Sequence, residues 1–239
     1  MSNTSMGWNS ILRQATNWVV AAMMLTSASA WAAEEWSKVA VARSPSEVSV
    51  WTRYVSGQQM KQFRGETHAE ASLASALALI QDMDAMPSWL YRCKSARILK
   101  RDGYRELYVY LTFSGIWPLQ DRDAVIRILP AYDAASGSIT LTGSAAPKYL
   151  PPMPDMVRVP AIAANFVFEP KQNNTIRLEL TGHFDPGGVV PIWIANLVVT
   201  ILPKYSLTEM REILEGDYYR SIDRLALGDE TIREVRAGR

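Results

Sequence analysis

Cysteine is nearly absent: Cys93 stands alone among 239 residues. No intrachain disulfide is possible, which excludes a small stapled scaffold and leaves stability to a sizeable core. Histidine is almost as scarce, with only His68 and His183. Paired cysteines, HExxH, a glycine-rich phosphate loop and a serine elbow are all missing, so structural zinc, metalloprotease, nucleotide and common hydrolase chemistry lack their motifs. No cofactor and no metal site are expected. An excess of either charge is missing too: 25 Lys and Arg face 24 Asp and Glu. That balance argues against nucleic acid, which needs a basic face, and against holding anionic lipid by charge alone. No Pro-, Gly- or Ser-rich linker and no repeat interrupts the chain, so one domain is expected.

Long hydrophobic runs are also lacking. The N-terminal one, 18–25, is shorter than the ~20 residues a membrane span needs. It follows Arg13, the only charge before Glu34, and precedes two small-x-small sites at 28–30 and 30–32. This is the layout of a secretory leader over residues 1–32, cleaved after Ala32, which implies a periplasmic or secreted protein. An uncleaved anchor is the alternative. Cleavage removes Arg13 and no acid, leaving basic and acidic residues equal in number.

Along residues 33–214 the period of the apolar residues alternates between two and helical. Residues 34–47 suggest a short helix with Trp36, Val39 and Val41 as packing residues. Residues 50–55 and 63–69 alternate and form a hairpin across Ser56-Gly57. Residues 72–80 turn helical, with Ser72 as N-cap and Leu73, Leu77 and Ile80 on one face. Met86-Pro87-Ser88-Trp89 ends that region. Strands are then predicted at 93–99, 106–113, 123–129, 138–143, 162–170 and 175–184, with turns at Lys100-Arg101-Asp102-Gly103 and Asn173-Asn174.

Asp185-Pro186-Gly187-Gly188 breaks the last strand. Pro191 fits a helix start, and Ile194, Leu197, Val198, Ile201, Leu202 and Tyr205 recur at helical spacing. The helix is apolar nearly all round, so burial on most sides is expected. Pro203 and Lys204 make it too polar and too interrupted to span a bilayer. Strands in succession with segregated helices imply α+β with a curved antiparallel sheet, and the long helix is its natural cover. Such a helix-grip arrangement encloses an apolar cavity. Residues 215–239 form a tail of mixed charge, read as a short helix or a loose end.

Four stretches carry a family resemblance: Phe63-Arg64-Gly65-Glu66; Met86-Pro87-Ser88-Trp89 with Cys93-Lys94; Trp117-Pro118-Leu119-Gln120-Asp121-Arg122-Asp123; and His183-Phe184-Asp185-Pro186-Gly187-Gly188 followed by Pro191, Trp193, Ala195-Asn196 and Pro203. In this order and spacing the chain resembles the START (StAR-related lipid-transfer) domain in a bacterial secreted form, over about residues 48–214. The resemblance implies a helix-grip (START/Bet v 1-like) fold with an internal tunnel for a lipid or other apolar molecule. It implies a gate formed by the final helix and a neighbouring loop, by position 133–138. Some sterol-binding members carry a buried acidic–basic pair in the cavity; Arg127 is a candidate only if it faces inward.

Cavity and gate residues are expected among Tyr108, Tyr110, Trp117, Arg122, Arg158, Phe166, Phe168, Trp193, Leu197 and Ile201, with Arg158 near a lipid head group. Asp121-Arg122-Asp123 is read as loop bracing ahead of a ligand-binding triplet, and Asp185 as a turn brace. Cys93 reads as a buried structural thiol. The function expected is binding and carriage of a lipid by a monomer in transient contact with membranes, with no nucleic acid as partner and no catalytic residues. A cavity enzyme of cyclase or hydrolase type, with His183 as base, is the alternative. A lipid-regulated interaction module, favoured by an exposed apolar patch on the outer sheet face, is a third.

Overall fold

The computed structural model describes residues 35–222 except 57, 59 and 104, together with Ala237. The expected leader lies outside the described residues. The described residues from Trp36 to Ile222 belong to one unit.

Ten strands form one sheet: β1 (Ser37–Ala40), β2 (Ser49–Arg53), β3 (Gln62–Ala69), β4 (Cys93–Asp102), β5 (Glu106–Phe113), β6 (Arg122–Asp133), β7 (Ser138–Ala145), β8 (Val157–Arg158), β9 (Ala161–Lys171) and β10 (Thr175–Asp185). Among the described residues four helices accompany them: α1 (Leu73–Gln81), α2 (Met86–Trp89), α3 (Ile192–Leu214) and α4 (Asp217–Ile222). The sheet order is β1-β2-β3-β10-β9-β7-β6-β5-β4, antiparallel throughout, and β8 runs parallel to the start of β6. The expected α+β antiparallel sheet with a long terminal helix is therefore present.

Most boundaries follow local chemistry. Ser72 caps α1, its Oγ accepting the Ser75 N–H at 3.1 Å. Asn173 and Asn174 both adopt positive φ in the three-residue loop between paired Lys171 and Thr175, a conformation asparagine tolerates better than most residues. Pro191 stands one position earlier than expected, as the N-cap, its carbonyl accepting from Ile194 and Ala195. Three expectations need correction. Residues 37–40 form β1, a strand rather than a helix, because the free edge of β2 supplies backbone partners; Val39 and Val41 are exposed. Met86–Trp89 is itself a helical turn rather than a terminator. The two-residue β8 carries too little pattern to be foreseen.

Helix α3 lies on the β2–β3–β10 part of the sheet. Gly65 on β3 makes the close approach possible: a Cβ there would sit 2.7 Å from Cβ of Pro203. Val199, Pro203, Ser206, Leu207, Met210 and Leu214 are the buried stripe. The core continues under α1 through Leu77, Leu79, Phe168, Ile176 and Leu178. α4 docks on α1: the Tyr219 hydroxyl donates to Asp82 at 2.9 Å, and Ser75 Oγ donates to the Tyr219 carbonyl at 2.9 Å. Among the described residues no helix is long and apolar enough to cross a membrane.

Candidate functional site

Between the concave sheet face and the first turns of α3 lies a cavity of about 240 Å³. Side-chain alternation decides most of the lining, with His183 near the end of β10 the exception to it. On β5, Leu111 and Phe113 point in; on β6, Arg122 and Ile126; on β9, Ile162 and Ala164; on β10, Leu180 and Phe184. Helix α3 contributes Ile194, Ala195, Val198 and Leu202. Segments 114–119 and 186–190 close one end with Ile116, Leu119, Pro186 and Val190. Polar side chains are few: Tyr91, Arg92, Ser114, Arg122 and His183. No Asp or Glu lines the cavity.

The same alternation sends other expected residues elsewhere. Of the ten, only Arg122 lies on the cavity wall. Tyr108 and Tyr110 have the opposite parity to Leu111, so they face outward; Tyr108 stacks on Tyr149 with ring centroids 4.4 Å apart, and Tyr110 is covered by the Arg97 guanidinium. Phe166 and Phe168 share the inward face but lie further along β9, packed on each other and, through Phe166, on Trp89. They fill core beyond the cavity. Trp117 is 90% exposed beside Ile116, and Trp193 is 66% exposed beside Ile194. Leu197 is exposed and Ile201 half-buried on the same outward stripe. The expectation that α3 is buried on most sides is thus corrected: its apolar residues divide into a core stripe, a cavity stripe and a stripe facing solvent.

Arg158 is not near a ligand position. It forms a buried ion pair with Asp123, Nε to Oδ1 at 3.0 Å and Nη2 to Oδ2 at 2.7 Å. Its remaining donors reach the carbonyls of Pro147, Leu150 and Pro151. All five N–H groups are consumed in stapling segment 147–151 to the outer side of β6. The neighbouring residue on β6, Arg122, therefore faces in. Arg127 shares Asp123's parity and pairs with Glu106. Neither outward pair is placed to meet a sterol hydroxyl in the cavity.

The loop beside the cavity is 114–121. Arg92, held at φ 60°, donates through Nε to the Ser114 carbonyl at 2.8 Å and through Nη2 to the Gly115 carbonyl. Asp121 accepts from the Gly115 N–H at 2.8 Å and from Lys94 at 2.7 Å. These contacts hold the Asp121 carboxyl below the usual carboxylate range, Lys94 foremost. The 133–138 turn contributes nothing to the wall; Asp133 simply caps the β6–β7 hairpin by accepting from Ala135 and Ser136.

His183 lines the cavity, and burial lowers its pKa while Asp185 raises it. Asp185 Oδ1 accepts the Gly187 N–H at 2.8 Å, bracing the turn into α3. Cys93 is buried, and desolvation pushes its thiol up to about 11, so it is a poor nucleophile. Among the described residues no group of three or more His, Cys, Asp or Glu could hold a metal ion. The role of the DRD triplet was only half visible in the sequence. Its carboxylates do brace, but which way Arg122 points needed the register of β6.

A family model for the START domain matches residues 12–214. A Pseudomonas aeruginosa protein described as uncharacterized is 28% identical over 197 residues, 82% of this chain and 95% of its own. Among solved structures, a STAR-related lipid transfer protein from Xanthomonas axonopodis aligns with a TM-score of 0.69 at 29% identity, over 76% of this chain and 99% of that one. Human StAR-related lipid transfer protein 5 gives 0.65 at 18% identity, over 87% and 100% of the two chains, a likeness of fold. The matched span takes in every strand and runs to the last residue of the helix roofing the cavity, and the protein belongs to the START domain family.

Proposed function

We propose that this protein binds a lipid or other hydrophobic molecule in the cavity under α3 and carries it as a monomer. The observation that carries this is the cavity itself: about 240 Å³ of apolar wall with five polar side chains, in a chain whose Xanthomonas relative is described as a lipid transfer protein. Burial supplies the affinity. Each CH₂ withdrawn from water contributes about 0.8 kcal/mol, so a hydrocarbon ligand needs few polar contacts.

Entry and exit need part of the wall to move. The segments suited to this are loop 114–121 and the start of α3, hinged at Gly187-Gly188, where both residues have positive φ. Next to that end of the cavity lie exposed Trp117, Val189, Ile192, Trp193 and Leu197. Tryptophans with aliphatic neighbours suit a bilayer interface, so we place transient membrane contact there. The leader-like segment 1–32 supports export to the periplasm or beyond.

The test is native mass spectrometry of protein purified from its own compartment, followed by organic extraction. A stoichiometric apolar ligand is the expected result. Protein that arrives empty and takes up no lipid from vesicles would refute carriage. A second function, catalysis inside the cavity, is favoured by His183 on its wall. Asp185, whose charge acts on His183, is engaged by the Gly187 N–H, and the apolar lining favours binding as the first reading.

A further inference from the structure

The polar groups of the cavity are not scattered. Arg92 immediately precedes β4, Ser114 follows β5, Arg122 opens β6 and His183 lies near the end of β10. Register brings these strand ends to one edge, since Arg122 pairs with Phe113 and Phe113 with Cys93. Away from that edge, toward Leu111, Ile126 and Leu180, the wall is purely apolar. The cavity thus has a polar end and an apolar end, which is the polarity of an amphiphile.

The sign of the polar end is set by which charges are already matched. Asp121 is engaged by Lys94 and the Gly115 N–H, and Asp123 by both arms of Arg158. Arg92 gives Nε and Nη2 to two loop carbonyls, which ties that face of its guanidinium to the loop. Arg122, between the two carboxylates, gives Nη1 to the Gln120 carbonyl and has no carboxylate within ion-pair distance among the described residues. Burial lowers its pKa, with Asp121 opposing, yet a guanidinium stays charged. Arg122 is half-buried, and on an acid-free apolar wall its charge has no carboxylate partner among the described residues, so an anionic ligand group would complete it.

Size adds a second constraint. About 240 Å³ lies under the ~300–1,000 Å³ common for sites burying drug-sized molecules, leaving space for one chain rather than two. Resting on the binding function above, we propose that the ligand is a single-chain amphiphile with an anionic head, a carboxylate or a monoacyl phosphate. Arg122 is its counter-ion, and the chain runs inward toward Leu111 and Leu180.

The experiment compares ligands matched in chain length on the full protein by displacement of a fluorescent acyl probe. The set is a hexadecanoate, a monoacyl phosphate, hexadecanol and a diacyl phosphatidic acid. A charge-assisted contact predicts that the two single-chain anions outcompete the alcohol by about 10- to 100-fold, with the advantage shrinking in salt. Arg122→Met should abolish the preference, the two anions losing about 10- to 100-fold more affinity than hexadecanol, and Arg122→Lys should restore part of it. Retained hexadecanol binding reports that the Met variant is folded. Acid preferred over phosphate, or the reverse, identifies which head is native. Equal binding of acid and alcohol, a preference that survives Arg122→Met, or diacyl lipid binding as well as monoacyl would overturn the proposal while leaving carriage intact. Failure of every probe and ligand to bind would overturn both.

Discussion

Arg122 and Arg158 sit at the same end of the sheet with opposite fates. Arg158 has committed all five N–H groups to Asp123 and three carbonyls, so it is a fastener. Breaking that fastener should be costly: Asp123→Asn leaves a buried guanidinium uncompensated, and a loss of about 3–5 kcal/mol in urea unfolding is expected. A loss under ~1 kcal/mol would mean the pair is far better hydrated than its burial suggests. His183 gives a second residue-scale prediction. Burial lowers its folded pKa below the ordinary value near 6.5, so the unfolded chain binds the proton more tightly. The stability this contributes is whole above about pH 6.5 and is lost as pH falls through that value toward the lower folded pKa. Melting temperatures from about pH 7.5 to pH 5 should fall more steeply for the native protein than for His183→Gln. Parallel curves would show that His183 does not report the cavity's dielectric.

Among the elements, α3 and its seat decide the most. Gly65 lets Pro203 and Leu207 settle against β3, and Gly65→Ala would set Cβ atoms 2.7 Å apart. Overpacking of this kind costs about 1–3 kcal/mol and should lift the helix, accelerating ligand exchange as well as lowering the melting temperature. A variant as stable as the native protein would mean that α3 can shift without strain. Gating has its own check: in a Cys93→Ser background, Ile116→Cys with Ile194→Cys joined by a short bis-maleimide should slow lipid exchange, and unchanged exchange would remove loop 114–121 from the gate. Element types were legible because long runs such as 106–113 and 175–184 carry a clean period of two. Edges were not: β1 owes its form to hydrogen bonds from β2, which no local pattern records. Site residues fared worst, for a physical reason. Moving one position along a strand exchanges inside for outside, so Tyr108 and Tyr110 fell to the outer face while Leu111 and Phe113 line the cavity. Along α3, Trp193 and Leu197 differ from Ile194 and Val198 by one step, which is a 100° turn away from the cavity.

At the scale of the molecule, the exposed apolar group at Trp117, Val189 and Trp193 sits beside the cavity rather than on the outer sheet face. The outer face of β3, β10 and β9 instead carries a charged ladder of Arg64, Glu66, Arg177, Glu179 and Glu169. This distribution disfavours a protein-docking patch there and leaves the exposed apolar group beside the cavity as the surface that the proposed membrane contact would use. Replacing both Trp117 and Trp193 with Ser removes two large apolar anchors, each worth about 1.5–3 kcal/mol when buried. Vesicle-to-vesicle transfer should fall tenfold or more while solution affinity for ligand is kept. Loss of both together would place the tryptophans in ligand binding instead.

The sheet order holds a consequence for how the molecule comes into being. β3 pairs with β10, and Arg64 faces Thr181 across that seam. The cavity wall draws on residues from Phe63 to Leu202, so no shorter stretch encloses it. Pairings so distant in sequence are slow to find, because the entropy of closing the loop is spent before the contact is made. Hairpins β4–β5, β6–β7 and β9–β10 are local and can form early, but the seam must wait for the whole chain. The cavity is therefore expected to close late in folding, and pulse-labelled hydrogen exchange should show Leu180 protected after the hairpins, its apolar walls lying open until then.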